Sequence, residues 1–511
     1  MQHRVPSTHR HSPYLLAARS VIRLLTSVPS RAMPTDSHVD KKQRTSSTTA
    51  SKSASQEEAD VDGQRDVQFK VPGAIVTSRT FTVPLDHSGT VEGNIQIFVR
   101  HLVAPVQLGK KQPFLLYFSG GPGFESPRVT DANSGWIKKA LDNFQVLLMD
   151  GRGTGRSTPI TTNNLRFRGD AAQQAQYLSF FRADSIVHDA EVVRQHMVPG
   201  DNYKGRLSIL GQSFGGFCCF TYLSMYPGSL IEVFTTGGVP PDVRQPCVAD
   251  AVYRGLAPRV HELNRRYYKR YPGDAPLVRN IIKWLAAQPG GGRVLPDGTL
   301  LTPRLFQTLG LSGLGSGGGF DRLHYLLETF FDEGDEINPT FIKAWNSWQH
   351  WDTNPLYALL HESIYTQGEA TNWAAHRTRQ DPQFTELFDA VKAVESGHEV
   401  LFTGEAVFPW MFDDVACLRP YKAAAELLAA KSDWGPLYNP DVLAAGKIPV
   451  ASATYLEDMY VDYNLAQDTA RTTGEIRQWV TNEYKHSGIR DDGYRIFERL
   501  LSLVRDSTLL E

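Results

Sequence analysis

The pentapeptide Gly211-Gln212-Ser213-Phe214-Gly215 sets a serine between glycines and is the sole GxSxG in the chain. A serine hydroxyl is a poor nucleophile until a neighbouring base takes its proton, and that base needs a partner to orient it. A histidine and a carboxylate fill those roles. In one chain order that carries such a triad, the acid follows the serine and the histidine comes last, each just beyond a strand. Asp458 follows the strand-like run Ile448–Tyr455, and His486 follows the run Arg477–Thr481. Glu457 competes with Asp458 as its immediate neighbour; Asp462 lies further from the strand end. Attack on a carbonyl also creates an oxyanion that needs N–H donors. Ser119-Gly120-Gly121-Pro122-Gly123 directly follows the apolar run Phe114–Phe118, and the N–H of Gly121 is expected to pair with that of Phe214.

These groups need a frame. Runs rich in β-branched and aromatic residues occur at Thr77–Val83, Asn94–Val103, Phe114–Phe118, Gln145–Met149, Leu207–Leu210 and Glu232–Thr235, each bounded by turn residues. The first two read as an antiparallel hairpin about His87-Ser88-Gly89. The later ones alternate with helical patterns such as Asp184–Met197 and Phe214–Tyr226, the signature of βαβ units and a mostly parallel sheet. Leu207–Leu210 followed by a helix at Phe214 is the strand–turn–helix setting that exposes a nucleophilic serine on a tight turn. After Gly238 the strand signal stops for about 200 residues, and 250–430 reads as helices rich in aromatics, among them Val260–Tyr271, Asp321–Phe331 and Phe341–Trp348. A sheet that pauses for a helical block and then resumes is one domain carrying an insertion. The expected divisions are a disordered leader and linker at 1–66, the first part of the core at 67–240, a helical cap at 241–420 and the second part of the core at 421–511.

The leader has five arginines before its first carboxylate, Asp36, and an amphipathic stretch from Leu15 to Leu25. That pattern suits a mitochondrial transit peptide better than a secretory signal. The expectation is a cytoplasmic protein with a dispensable extension ahead of Met33, and a mitochondrial location is the alternative if the leader is a transit peptide. Over the whole chain of 511 residues, Lys+Arg 53 and Asp+Glu 55 nearly cancel, which argues against a nucleic-acid-binding surface. No apolar run approaches the length of a membrane span. The four cysteines have neither metal-type nor disulfide-framework spacing, and no motif calls for a metal or cofactor.

Several motifs in order along the chain resemble the proline iminopeptidase (prolyl aminopeptidase) family, a group of α/β-hydrolase serine peptidases. Gly120-Gly121-Pro122-Gly123 is similar to the family's HGGPG run, with Ser119 in place of histidine. Asp150-Gly151-Arg152-Gly153-Thr154-Gly155-Arg156-Ser157 resembles its DQRGxGRS segment, and Gly211–Gly216 its GxSWGG elbow. Thr403-Gly404-Glu405, Pro409-Trp410, Glu457-Asp458-Met459-Tyr460-Val461 and His486-Ser487-Gly488-Ile489-Arg490 resemble the larger branch with an extended cap. The resemblance implies an α/β-hydrolase fold and a cofactor-free serine aminopeptidase that releases an N-terminal residue, usually proline, from short peptides with a free N-terminus. It further implies a cap carboxylate facing the substrate amine. Glu405 is the candidate, with Phe408, Trp410 and Phe412 nearby to add cation–π attraction; Asp413 and Asp414 compete. A serine esterase or amidase with the same triad is the alternative, and a catalytically silent hydrolase fold acting as a binding module is a third reading.

Gly313-Leu314-Gly315-Ser316-Gly317-Gly318 has the letters of a dinucleotide-binding loop but follows a helical run, Pro303–Leu309, not a strand. It reads as a flexible cap loop. Arg152 and Arg156 read as struts beneath the site, and Cys218 and Cys219 as small buried side chains of the elbow helix.

Overall fold

The computed structural model describes residues 66–506 apart from Asp335. The basic leader and its linker therefore lie outside the described residues, except for Asp66. Among the described residues there are eleven strands: β1 (Val67–Val71), β2 (Ala74–Pro84), β3 (Asn94–Val103), β4 (Phe114–Phe118), β5 (Gln145–Met149), β6 (Leu207–Gln212), β7 (Leu230–Thr236), β8 (Arg293–Val294), β9 (Leu300–Leu301), β10 (Val450–Tyr455) and β11 (Ile476–Thr481). Nine form one sheet in the order β1-β2-β3-β5-β4-β6-β7-β10-β11. β1, β2, β3 and β5 pair antiparallel in succession. From β5 onward every pairing is parallel.

The central strands β4 and β5 read as almost unbroken apolar runs because both faces of the sheet are covered there. All five residues of β4 are buried. Leu115 and Tyr117 join a core with the helices Gly135–Asn143 and Gly493–Arg505, while Phe114, Leu116 and Phe118 join the opposite core with Ala183–Met197 and Phe214–Met225. The helix Phe214–Met225 is buried on all sides save its last residue, and Cys218 and Cys219 lie within it, unpaired.

Between β7 and β10 the chain forms a helical cap whose apolar interior is continuous with the second of these cores. Its longest helix, Ala249–Arg270, begins well before the Val260 at which periodicity alone would start it, and continues through Pro258. Val252, Tyr253 and Leu256 are buried, and that packing outweighs the hydrogen bond a mid-helix proline removes. Tyr267, Phe306 and Phe402 are fully buried at the centre of the cap, each contributing roughly 1.5–3 kcal/mol by removal from water. β1 escapes the sequence pattern because it is an edge strand with four exposed residues. The two-residue hairpin of β8 and β9 is too short to show a period. No helix among the described residues is long and apolar enough to cross a membrane.

Candidate active site

The parallel strands end on one side of the sheet, the side where open α/β sheets gather their ligands. Ser213 follows β6 with φ 56° and ψ −127°, a conformation costing a non-glycine residue about 1–3 kcal/mol. Its neighbours hold it there. A Cβ on Gly211 would stand 2.2 Å from Gly215 O, and one on Gly215 would stand 2.1 Å from Phe118 O. Glycine alone lets the elbow pack this tightly against itself and against β4. The Ser213 N–H donates to Thr236 O at the end of β7 (3.0 Å), pinning the turn across the sheet.

The structure brings Ser213, His486 and Asp458 together from three strand ends. His486 Nε2 lies 2.8 Å from Ser213 Oγ, and its Nδ1 lies 2.6 Å from Asp458 Oδ2. All three are buried, with residual exposures of 8%, 6% and 4% for Ser213, His486 and Asp458. The other carboxylate oxygen of Asp458 accepts the N–H groups of Tyr460 (2.8 Å) and Val461 (3.2 Å), which fixes the plane of the carboxylate. Glu457 is turned away into a bidentate pair with Arg266 of the cap (2.6 and 3.0 Å). Asp462 caps the helix that follows it, accepting from Leu465 N–H.

Gly121 lines the cavity above Ser213. Phe214 is the first residue of its helix, so its N–H has no preceding turn to donate to. The loop of residues 119–123 closes on Ser213: a Cβ on Gly120 would be 3.1 Å from Ser213 Cβ. Ser119 donates to Glu125 O (3.1 Å) and so ties the two ends of that loop. Beneath it, Asp150 accepts a fork of bonds from Arg128 (2.8 and 2.7 Å), and the buried Arg152 is held by Asp189 and by the carbonyls of Leu85 and Phe180. Arg156 lies over the Phe98 ring.

Ser213 and His486 open into a cavity of about 470 Å³ walled by core and cap together. Glu405 lines its cap wall and accepts a hydrogen bond from Tyr357 Oη (2.8 Å). Burial pushes the Glu405 carboxyl up to about 8; the Tyr357 bond pulls it down, and the charge of Asp458 adds to the rise. Glu405 sits on an irregular stretch of chain. Buried amides of the cap satisfy that stretch: Asn264 bonds both N–H and C=O of Phe402, and Gln307 Nε2 donates to Leu401 O. The competing carboxylates are occupied elsewhere, Asp414 by Arg304 and Thr302, Asp413 by Lys422. The expected aromatic cage differs. Phe408, Trp410 and Phe412 do not line this cavity; the Trp410 face meets Arg304 and Arg379 instead. Phe124, Trp348, Trp351, Tyr357 and Tyr460 supply the aromatic wall.

Two contacts between cap and core go beyond what the local sequence pattern indicates. Tyr460 stacks on the His486 ring at 4.5 Å between centroids and donates to Leu311 O in the cap. The glycine-rich segment 313–318, expected as a flexible loop, is a tight link between the helices Gly310–Leu314 and Gly319–Glu328. It is docked on the histidine loop: Gly317 N–H donates to Ser487 Oγ (2.7 Å), and Lys485 Nζ donates to Leu314 O (2.8 Å). A Cβ on Gly315 would stand 2.0 Å from Tyr460 Cε2. Glycine serves close approach between cap and core here, which letters alone do not distinguish from a phosphate loop. Among the described residues no group of three or more His, Cys, Asp or Glu side chains could hold a metal ion.

The family model described as the alpha/beta hydrolase fold matches residues 113–269. The chain is 47% identical over 427 residues to a proline iminopeptidase of Aeromonas sobria, covering 83% of this chain and 96% of that protein. It is 39% identical over 447 residues to a proline iminopeptidase of Aspergillus aculeatus, covering 85% and 95%. Among solved structures, a proline iminopeptidase from Mycobacterium smegmatis is 13% identical with a TM-score of 0.40, covering 83% of this chain and 97% of that one.

Proposed function

The chain belongs to the proline iminopeptidase family and is a serine hydrolase of the α/β-hydrolase fold; on that premise we propose that it removes an N-terminal residue, preferentially proline, from short peptides. The observation that carries the reading is an unbroken relay, Asp458 to His486 to Ser213, opening into a cavity with a single cap carboxylate, Glu405. Ser213 Oγ attacks the first peptide carbonyl as His486 Nε2 takes its proton. Asp458 holds the imidazole in the tautomer that presents Nε2 as acceptor and stabilises the imidazolium that forms. The N–H groups of Gly121 and Phe214 receive the oxyanion. His486 then gives its proton to the departing amine, and water, activated by the same imidazole, releases the free N-terminal residue from the acyl-enzyme. Glu405 receives the substrate's cationic amine, an interaction strengthened by exclusion of water. In this reading the cap spans 241–420 and the core comprises 67–240 with 421–511.

The test is turnover of proline p-nitroanilide beside p-nitrophenyl acetate, with Ser213→Ala as the background. An aminopeptidase hydrolyses the anilide well above that background and loses it when the amine is acetylated. Ester turnover without anilide turnover overturns the reading in favour of an esterase, and no turnover of either favours a silent fold.

A further inference from the structure

Every arginine beneath the site is engaged: Arg128 with Asp150, Arg152 with Asp189, Arg156 over Phe98. Arg490 is the exception. It is exposed, and among the described residues it is the one Lys or Arg lining the catalytic cavity and no carboxylate reaches its guanidinium. Its charge is felt on the hydroxyls of Tyr117 and Tyr460, on the core side of the cavity. Glu125, the other charged core residue of that wall, lies in the field of Arg128.

The position of Arg490 relative to the chemistry gives it a meaning. His486 must hand its proton to the leaving nitrogen, so the residue after the scissile bond lies on the His486 side of Ser213. From His486 the chain runs directly into the short helix Gly488–Asp491, and both Ile489 and Arg490 face the cavity. Trp136, stacked on Tyr117 at 4.7 Å, continues an apolar wall beside them. Glu405 stands on the cap wall. One cavity thus presents an anion for the substrate's amine and, beside the leaving group, an unpaired planar cation, whose fork suits a carboxylate.

Resting on the aminopeptidase reading, we infer that Arg490 binds the C-terminal carboxylate of the departing residue or dipeptide, so that the preferred substrates are dipeptides and tripeptides with a free C-terminus. Ile489 and Trp136 would hold the side chain that follows the scissile bond. An extended chain advances about 3.3–3.6 Å per residue, so the free-acid preference is expected to be strongest for the one peptide length whose carboxylate meets Arg490.

The experiment compares Pro-Leu with Pro-Leu-amide, and Pro-Leu-Gly with its amide, in the wild type, Arg490→Gln and Arg490→Lys, reading released proline. The wild type is expected to favour at least one free acid over its amide by about tenfold in kcat/KM, as charge-assisted bonds do, with the difference residing in KM. Arg490→Gln brings that ratio to about one, and Arg490→Lys keeps part of it. Ratios near one for both peptides in the wild type, or a preference that survives Arg490→Gln, overturn the inference. Proline p-nitroanilide, which carries no carboxylate, separates the two levels: failure to hydrolyse it counts against the aminopeptidase reading, whereas hydrolysis without acid preference counts against Arg490 alone.

Discussion

The two walls of the cavity are built by opposite means. On the core wall, Ser213, Asp458 and His486 each stand within a few residues of a strand end, and their mutual distances follow from the parallel ladder. On the cap wall, Glu405 occupies an irregular stretch held by amides from residues over 90 positions away, Gln307 and Asn264. In the proposed reading the core wall sets what reaction occurs, by local turn geometry, and Arg490 on the same wall reads the far end of the substrate. In the same reading the cap wall selects the substrate's amine end, by long-range polar contacts that can change without disturbing the sheet.

Substitutions should divide along the same line. Ser213→Ala, on the core wall, is expected to lower kcat about 10⁴-fold or more on anilide and ester alike, as loss of a triad nucleophile does. Glu405→Gln, on the cap wall, should strike only amine-bearing substrates. Removing one partner of a desolvated charge pair costs about 2–5 kcal/mol, roughly 30-fold or more in kcat/KM for proline p-nitroanilide, with p-nitrophenyl acetate nearly unaffected. Equal losses on both substrates would remove Glu405 from the amine site and dissolve the division between the walls.

The same division explains what could be read from the sequence. The elbow announces itself because Gly211 and Gly215 are demanded by contacts within five residues and by β4. Asp458 and His486 could be picked out because each follows a buried or pleated run in the expected order. Glu405 was reached only through resemblance, since no local pattern marks a residue whose support is tertiary. Phe408 and Trp410 lay close to Glu405 in sequence and suggested a cage, yet on an irregular backbone sequence proximity does not set direction, and Trp410 turns to Arg304 and Arg379. Tyr460 and the 313–318 link were invisible for the same reason: their partners are more than 140 residues apart, as with Tyr460 and Leu311.

That link offers a sharper test, because it is a cap element that touches the triad. A methyl group on Gly315 would collide with the Tyr460 ring, and Tyr460 in turn lies flat on His486. Gly315→Ala should displace the ring and loosen the imidazole, lowering kcat about tenfold on anilide and ester together, since a small misplacement of a catalytic base is amplified in rate. Tyr460→Phe keeps the ring but gives up the bond to Leu311 O, and should cost less than Gly315→Ala. A loss confined to the anilide would show instead that the link shapes the substrate wall alone.

The smallest expected effect is a shift in pH dependence. Burial holds the Glu405 carboxyl at about 8, so below that pH the free enzyme carries it protonated while the substrate amine is cationic. Forming the carboxylate–ammonium pair then releases one proton, so kcat/KM for proline p-nitroanilide should climb with pH up to about 8 and fall again as the substrate amine, with a free value of about 8, loses its own proton. The ester has no amine, so the ratio of anilide to ester rates isolates this limb from any titration of His486. The Tyr357 hydroxyl favours the ionised carboxylate, because it donates to it at 2.8 Å. Tyr357→Phe removes that donor, raises the carboxyl further, and should carry the rising limb upward by about one pH unit, equivalent to about 1.4 kcal/mol. A limb that stays in place in Tyr357→Phe, or that persists in Glu405→Gln, would assign the titration to a group on the core wall.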